Sequence, residues 1–131
     1  MTRFVVDAGV VIHLASTGID VPAGHRLLAP TLLRSQTLSL LHEAVQHGEI
    51  PPAVARQQLA WINAMPIRLL GDGVLRRRAW DVATTLGWSS TYQAEYVALT
   101  LLQADALVTL DAELARSAEG IVRIASIDEL R

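Results

Sequence analysis

Two aspartates stand where this chain can most readily do chemistry. Asp7 closes the apolar run Phe4-Val5-Val6, and Asp111 follows Ala106-Leu107-Val108-Thr109-Leu110. Each acid lies between a run that reads as a buried strand and residues that read as a helix. In open parallel sheets the carboxyl ends of the strands form the functional edge, because the loops there leave side chains facing a crevice. Two strands that each finish on an aspartate can bring both carboxylates to that edge. Clustered carboxylates repel unless a cation sits between them, so the pair points to a divalent metal site. Taken alone, Asp111 reads better as the N-cap of a helix beginning at Ala112. The second strand with the same ending is what turns a cap into a site candidate.

The elements that must position these acids follow from periodicity and punctuation. Residues 3–7 read as a strand and 8–16 as a helix, with a loop over 17–26. Leu27 to Pro30 is a short strand, and Pro30-Thr31 opens a helix to about Gln46, which His47-Gly48 ends. Pro51-Pro52 starts the next helix, to about Ala64. Ile67 to Leu70 is a strand, Gly71-Asp72-Gly73 a tight turn, and Val74 to Leu86 a helix. The stretch from Thr91 to Asp111 organises the rest. Tyr92, Tyr96, Leu99 and Leu102 recur at helical spacing behind Thr91 as N-cap, Gln103-Ala104-Asp105 breaks the helix, and Ala106 to Leu110 is a strand. A short helix to about Ala118, a strand over Ile121 to Ala125 and a helical turn over Ser126 to Leu130 complete the chain. Alternating βα units predict one domain over residues 1–131, a three-layer α/β/α fold with a mostly parallel sheet and right-handed connections.

Four stretches carry a family likeness: Phe4-Val5-Val6-Asp7-Ala8-Gly9, Ala29-Pro30-Thr31-Leu32-Leu33-Arg34-Ser35-Gln36, Tyr92-Gln93-Ala94-Glu95-Tyr96-Val97-Ala98-Leu99 and Leu107-Val108-Thr109-Leu110-Asp111. Through them nearly the whole chain resembles the PIN-domain ribonucleases, specifically the VapC toxins of bacterial toxin–antitoxin pairs. The resemblance implies four acidic positions that bind magnesium or manganese for RNA hydrolysis. It also implies a VapB-type antitoxin bound between the helices that begin at Thr31 and Pro51, and a homodimer. This sequence carries Asp7 and Asp111 at the first and fourth positions, but Gln36 and Gln93 at the second and third. A glutamine offers an amide oxygen and no formal charge, so one weakly held ion and slow cleavage are expected. Glu95, two residues after Gln93, lies about 200° round the helix and could compensate only by reaching back. Glu43 lies about 10 Å along the axis from Gln36, too far for direct replacement.

Composition narrows the alternatives. The 131 residues include 51% hydrophobic and 18% charged residues, which describes a packed globular chain. There is no cysteine, which excludes disulfides and thiol chemistry. No run approaches the length of a membrane helix and no signal-peptide pattern opens the chain, so a cytoplasmic protein is expected. The net charge is −2 and all eleven cations are arginines, so nucleic acid would have to be met by local patches, with Arg34 and Arg76-Arg77-Arg78 as the basic candidates. His42 and His47 are five apart, about 140° round a helix, which rules out a zinc pair on one face. A receiver-type phospho-acceptor domain would call for a late lysine. A haloacid-dehalogenase-type phosphatase would want a second Asp where Gly9 stands. The serious rivals are non-enzymatic: a PIN-fold binding module for antitoxin or RNA, or a dimeric scaffold. Metal binding separates the nuclease from both, and RNA binding separates the two.

Overall fold

The computed structural model describes all 131 residues. In chain order the elements are β1 (Thr2–Val6), α1 (Ala8–Thr17), β2 (His25–Pro30), α2 (Leu32–Gln46), α3 (Pro52–Ala64), β3 (Ile67–Leu70), α4 (Gly73–Leu86), α5 (Tyr92–Gln103), β4 (Ala106–Val108), α6 (Ala112–Ala118) and β5 (Ile124–Ala125), followed by a 3-10 turn at Ile127–Leu130. The strands lie in the order β3-β2-β1-β4-β5. Every neighbouring pair is parallel, so the sheet is wholly rather than mostly parallel.

Burial explains the three layers. Phe4, Val5 and Val6 are consecutive in β1 and all buried, as are Ala106, Leu107 and Val108 in β4. Successive strand residues point to opposite faces, so both faces of the central strands must be covered. Helices α1, α2 and α3 pack on one another, and α4 packs on α5, which also lies against β1, β2 and β4. Small residues in α5, Ala94 and Ala98, let that helix sit close to the strands, and Val97 and Leu99 fill the remaining space.

Strand β2 begins at His25, inside the loop expected over 17–26, and the Thr91 side chain makes no capping bond to α5. Three larger details also depart from the sequence reading. The apolar stripe of α5 is not the one spacing suggested: Tyr96 and Leu99 are buried, but Tyr92 is 58% exposed and Leu102 lies at the surface. A helix pressed between a sheet and another helix buries several sides at its middle and frees its ends. Strand β4 stops at Val108 instead of running to Leu110, and Leu110 is exposed. The chain leaves the sheet early, and Asp111 caps the N-terminus of α6. Strand β5 keeps only Ile124 and Ala125, because residues 121 and 122 still bond back to Ala118 at the end of α6. The end of α2 follows the expectation, with Gly48 in the left-handed region at φ 72°.

Candidate functional site

The strand order decides which acids meet. Chain order runs outward from β1 to β2 and β3 on one side, and β4 and β5 lie on the other. The crevice between β1 and β4 is therefore the switch point, where a doubly wound sheet opens at its carboxyl edge. Asp7 follows β1 directly and Asp111 lies three residues beyond β4. Asp72 ends the β3 segment in the same local pattern, but two strand positions from β1, or about 10 Å away across the sheet.

All three aspartates cap the helix that follows. Asp7 accepts from the Val10 N–H, Asp72 from Leu75 N–H, and Asp111 from the N–H groups of Glu113 and Leu114. Capping and site-building are compatible, since each cap engages only one carboxylate oxygen. The other oxygens of Asp7 and Asp111 belong to a connected chain. Thr109 donates its hydroxyl to Asp7 Oδ2, and the same hydroxyl oxygen accepts from the Asp111 N–H at 3.0 Å. Gln93 Nε2 donates to Asp111 Oδ2 at 3.2 Å. Burial holds the Asp7 carboxyl above the ordinary range; bonds from Thr109 and Val10 oppose this, and the charge of Asp111 adds to it.

Tyr96 ties Gln36 of α2 to α5. Its phenol donates to Gln36 Oε1. Burial raises the Tyr96 pKa, and the charges of Asp7 and Glu95 raise it further. Glu95 is half-buried and lines a hollow with Arg76, Arg77, Trp80 and Thr91 on the α4 side. Burial raises its pKa and Arg76 pulls it down. Arg78 is not part of that hollow, as expected for three arginines spread round a helix. Trp80 is 69% exposed there, whereas Trp61 and Trp88 are partly buried against the core.

Thr109 and Tyr96 are the participants that residue types did not reveal. Thr109 read as one more strand residue and Tyr96 as part of an apolar stripe. A threonine two residues before a capping aspartate was the available signal, because a hydroxyl there can reach the following backbone N–H.

The donor set can be tested against a cation. No group of three or more His, Cys, Asp or Glu residues converges anywhere in the protein. Two linked carboxylates, one of them desolvated and raised by the other, form a site whose repulsion a hard divalent ion relieves. One ion of the magnesium type commonly uses only one or two protein carboxylates, so the pair fits one such ion. It does not fit two. The amide oxygens of Gln36 and Gln93 would add neutral donors, and the Gln93 amide would have to release Asp111 to do so.

No family model matches the sequence, and no curated protein matches it. Solved structures do match. The chain resembles PAE2754 from Pyrobaculum aerophilum with a TM-score of 0.77 and 24% identity, over 98% of this chain and 92% of that one. It also resembles a chain of VapBC2 from Rickettsia felis, a structure bound to a DNA fragment from their promoter, with a TM-score of 0.68 and 5% identity over 95% of this chain and 98% of that one. At these identities the likeness shows the fold, which is a PIN-like α/β/α arrangement.

Proposed function

We propose that this chain is a VapC-like endoribonuclease that depends on one magnesium or manganese ion and turns over slowly. The observation that carries the reading is the pairing of Asp7 with Asp111 through Thr109 at the switch point of a PIN-like sheet. These two carboxylates would hold the ion; Gln93 bonds to Asp111, and Gln36 bonds to Tyr96. When bound, the ion supplies a Lewis acid for the charge that develops on the scissile phosphate and lowers the pKa of water. The chain's own groups do the positioning. The helix caps fix both carboxylates, Thr109 fixes their relative placement, and Tyr96 holds Gln36. Arg76 and Arg77 in the hollow with Glu95 offer cations for phosphate, and exposed Trp80 and Tyr92 offer faces for unstacked bases.

The partners in this reading are RNA, a second copy of the chain and a VapB-type antitoxin. An apolar antitoxin segment would lie along α2 and α3, where Leu38 and Leu40 of α2 stay exposed. No helix is long and apolar enough to cross a membrane, and a cytoplasmic location belongs to the proposal. A second reading, a binding module for antitoxin or RNA without turnover, is favoured by one feature. The Gln93 amide already supplies Asp111 Oδ2 with a donor that a cation would otherwise replace.

RNA cleavage with added manganese decides between them. The nuclease reading expects slow cleavage that Asp7→Asn abolishes and that Gln36→Glu with Gln93→Asp accelerates by about 10–100-fold, the usual scale for a single group at a metal site. Cleavage that persists in Asp7→Asn places the chemistry elsewhere. No cleavage by either the native chain or the double variant, with RNA still bound, establishes the binding module.

A further inference from the structure

The first turn of α5 faces two ways. Gln93 turns to Asp111 in the aspartate cleft. Glu95, about 3 Å farther along the axis and about 200° round it, lines the hollow toward α4 instead. It adds no third carboxylate to Asp7 and Asp111, so the proposed metal site leaves it without a role. The hollow has a volume of about 630 Å³, within the range of small-molecule sites. Gly73, Arg76, Arg77 and Trp80 recur at i, i+3, i+4 and i+7 along α4 and form one wall. Thr91 and Glu95, four residues apart at the start of α5, form the other. Arg77 is drawn back over the beginning of α4, since its Nη1 would stand 3.4 Å from a Cβ at Gly73. One end of the wall is therefore cationic and the other aromatic, about 10 Å apart along the helix, which one nucleotide spans.

Two groups here are left unsatisfied by the chain itself. Trp80 is 69% exposed, although tryptophan is among the side chains whose burial stabilises a fold most. Its indole offers a flat apolar face beside two guanidinium groups. Glu95 is half-buried, and the loss of water raises its pKa. Arg76 acts on it through charge alone, because the protein's two ion pairs, Arg123–Glu129 and Arg131–Asp128, lie near the end of the chain. No hydrogen bond supplies the Glu95 carboxylate with a donor.

On the reading of this chain as an RNA-binding protein, we propose that the hollow holds one unpaired guanine nucleotide and that Glu95 reads its base. Unstacked bases are recognised by stacking on aromatic side chains and by hydrogen bonds to their Watson–Crick edge. An ionised carboxylate has two acceptor oxygens and no donor. Guanine alone among the four bases presents two donors side by side on that edge, N1–H and the N2 amino group. Adenine and cytosine set a ring-nitrogen acceptor beside their amino group, and uracil flanks its N–H with two carbonyls. Each of these three would turn a lone pair toward Glu95. Trp80 carries the base by its face, and Arg76 and Arg77 take the adjoining phosphate. Because Gln93 and Glu95 leave α5 on different sides, the base read here flanks the cleavage point and is not part of it.

Fluorescence anisotropy with labelled single-stranded pentanucleotides, uridines around one central guanosine, adenosine or cytidine, tests this in chelator, where cleavage does not intrude. The guanosine oligonucleotide should bind about 10-fold more tightly than the other two, the scale of a charge-assisted hydrogen bond. Glu95→Gln should erase that preference while all-uridine RNA binds as well as before or better, because a negative charge has gone. Glu119→Gln, the same change at an exposed position closing α6, should leave the preference intact. Trp80→Ala should weaken all three about 10-fold through lost stacking. No preference, preference for another base, or a guanine preference that survives Glu95→Gln would overturn the assignment of Glu95 and leave RNA binding standing. No binding of any oligonucleotide would overturn it together with the RNA reading on which it rests. A Trp80→Ala chain that loses a dimer in sedimentation while keeping its RNA affinity would give the hollow to a second copy instead.

Discussion

The two edges of the sheet carry opposite chemistry. At the carboxyl edge Asp7, Asp72 and Asp111 stand after strands, each satisfied by backbone N–H groups of the helix it caps. At the amino edge the guanidinium groups of Arg3, Arg26 and Arg68 stand at strand beginnings in no ion pair, and the one acid bonded there, Asp105, accepts from the Arg3 backbone N–H. The direction of a βα unit accounts for much of this. Helix N-termini follow the strands and present free N–H groups and a positive dipole end, which favours carboxylates. Helix C-termini precede the strands and favour cations. What separates the proposed site from an ordinary cap is adjacency. Asp7 and Asp111 meet because β1 and β4 are neighbours, whereas Asp72 caps α4 alone.

Breaking what the two edges share should have the largest effect. Leu107 in β4 is fully buried beside Val5, its register partner. Leu107→Ala should cost about 2–5 kcal/mol in chemical denaturation. A single transition is expected, carrying both edges with it; two separated transitions would show that the edges are independently stable.

The comparison of caps is sharper and smaller. Asp72→Ala and Asp111→Ala should each lower stability by about 1 kcal/mol through loss of an N-cap. Only Asp111→Ala should also lose manganese binding. Equal loss of metal in both variants would remove the distinction between the switch point and an ordinary cap.

A pH experiment isolates the charge of Asp7 from its cap. The folded chain holds the Asp7 proton to higher pH than the unfolded chain does, because of burial first and the Asp111 charge in addition. Stability therefore falls as pH rises from the ordinary carboxylate range, about 4, through the raised folded value. Asn is an equally good cap. In chelator, Asp7→Asn should raise stability at about pH 7 by roughly 0.5–2 kcal/mol, as relief of a strained functional group does. The gain should vanish by about pH 3, where both states are protonated. A loss at neutral pH, measured by calorimetry, would show that the Asp7 charge stabilises the fold.

The legible parts of the molecule were the local ones. Strand, acid and helix follow one another in sequence at Asp7 and Asp111, and β3 and α6 lie where punctuation placed them. The helices α2 and α3 were bounded by Pro and Gly within a residue or so. Non-local facts were not legible. That β1 lies beside β4 is a matter of strand pairing, and without it nothing distinguishes Asp111 from Asp72. Tyr96 looked apolar because its hydroxyl partner, Gln36, is sixty residues away. Thr109 looked like strand because apolar periodicity ran past the point where the chain turns. The arginine group at the amino edge is hidden for the same reason: Arg76-Arg77-Arg78 is contiguous, while register gathers Arg3, Arg26 and Arg68 from distant segments.

In the proposed function Asp7 and Asp111 form one divalent-cation site at the β1–β4 crevice, with Gln36 and Gln93 leaving it short of charge. Manganese titration followed by electron paramagnetic resonance tests this most directly, because it counts bound ions without relying on turnover. One weakly bound ion per chain is expected, lost in Asp7→Asn, retained in Asp72→Asn, and bound more tightly in the Gln36→Glu, Gln93→Asp variant. Two tightly held ions in the native chain, or one whose affinity is the same in Asp7→Asn, would contradict it.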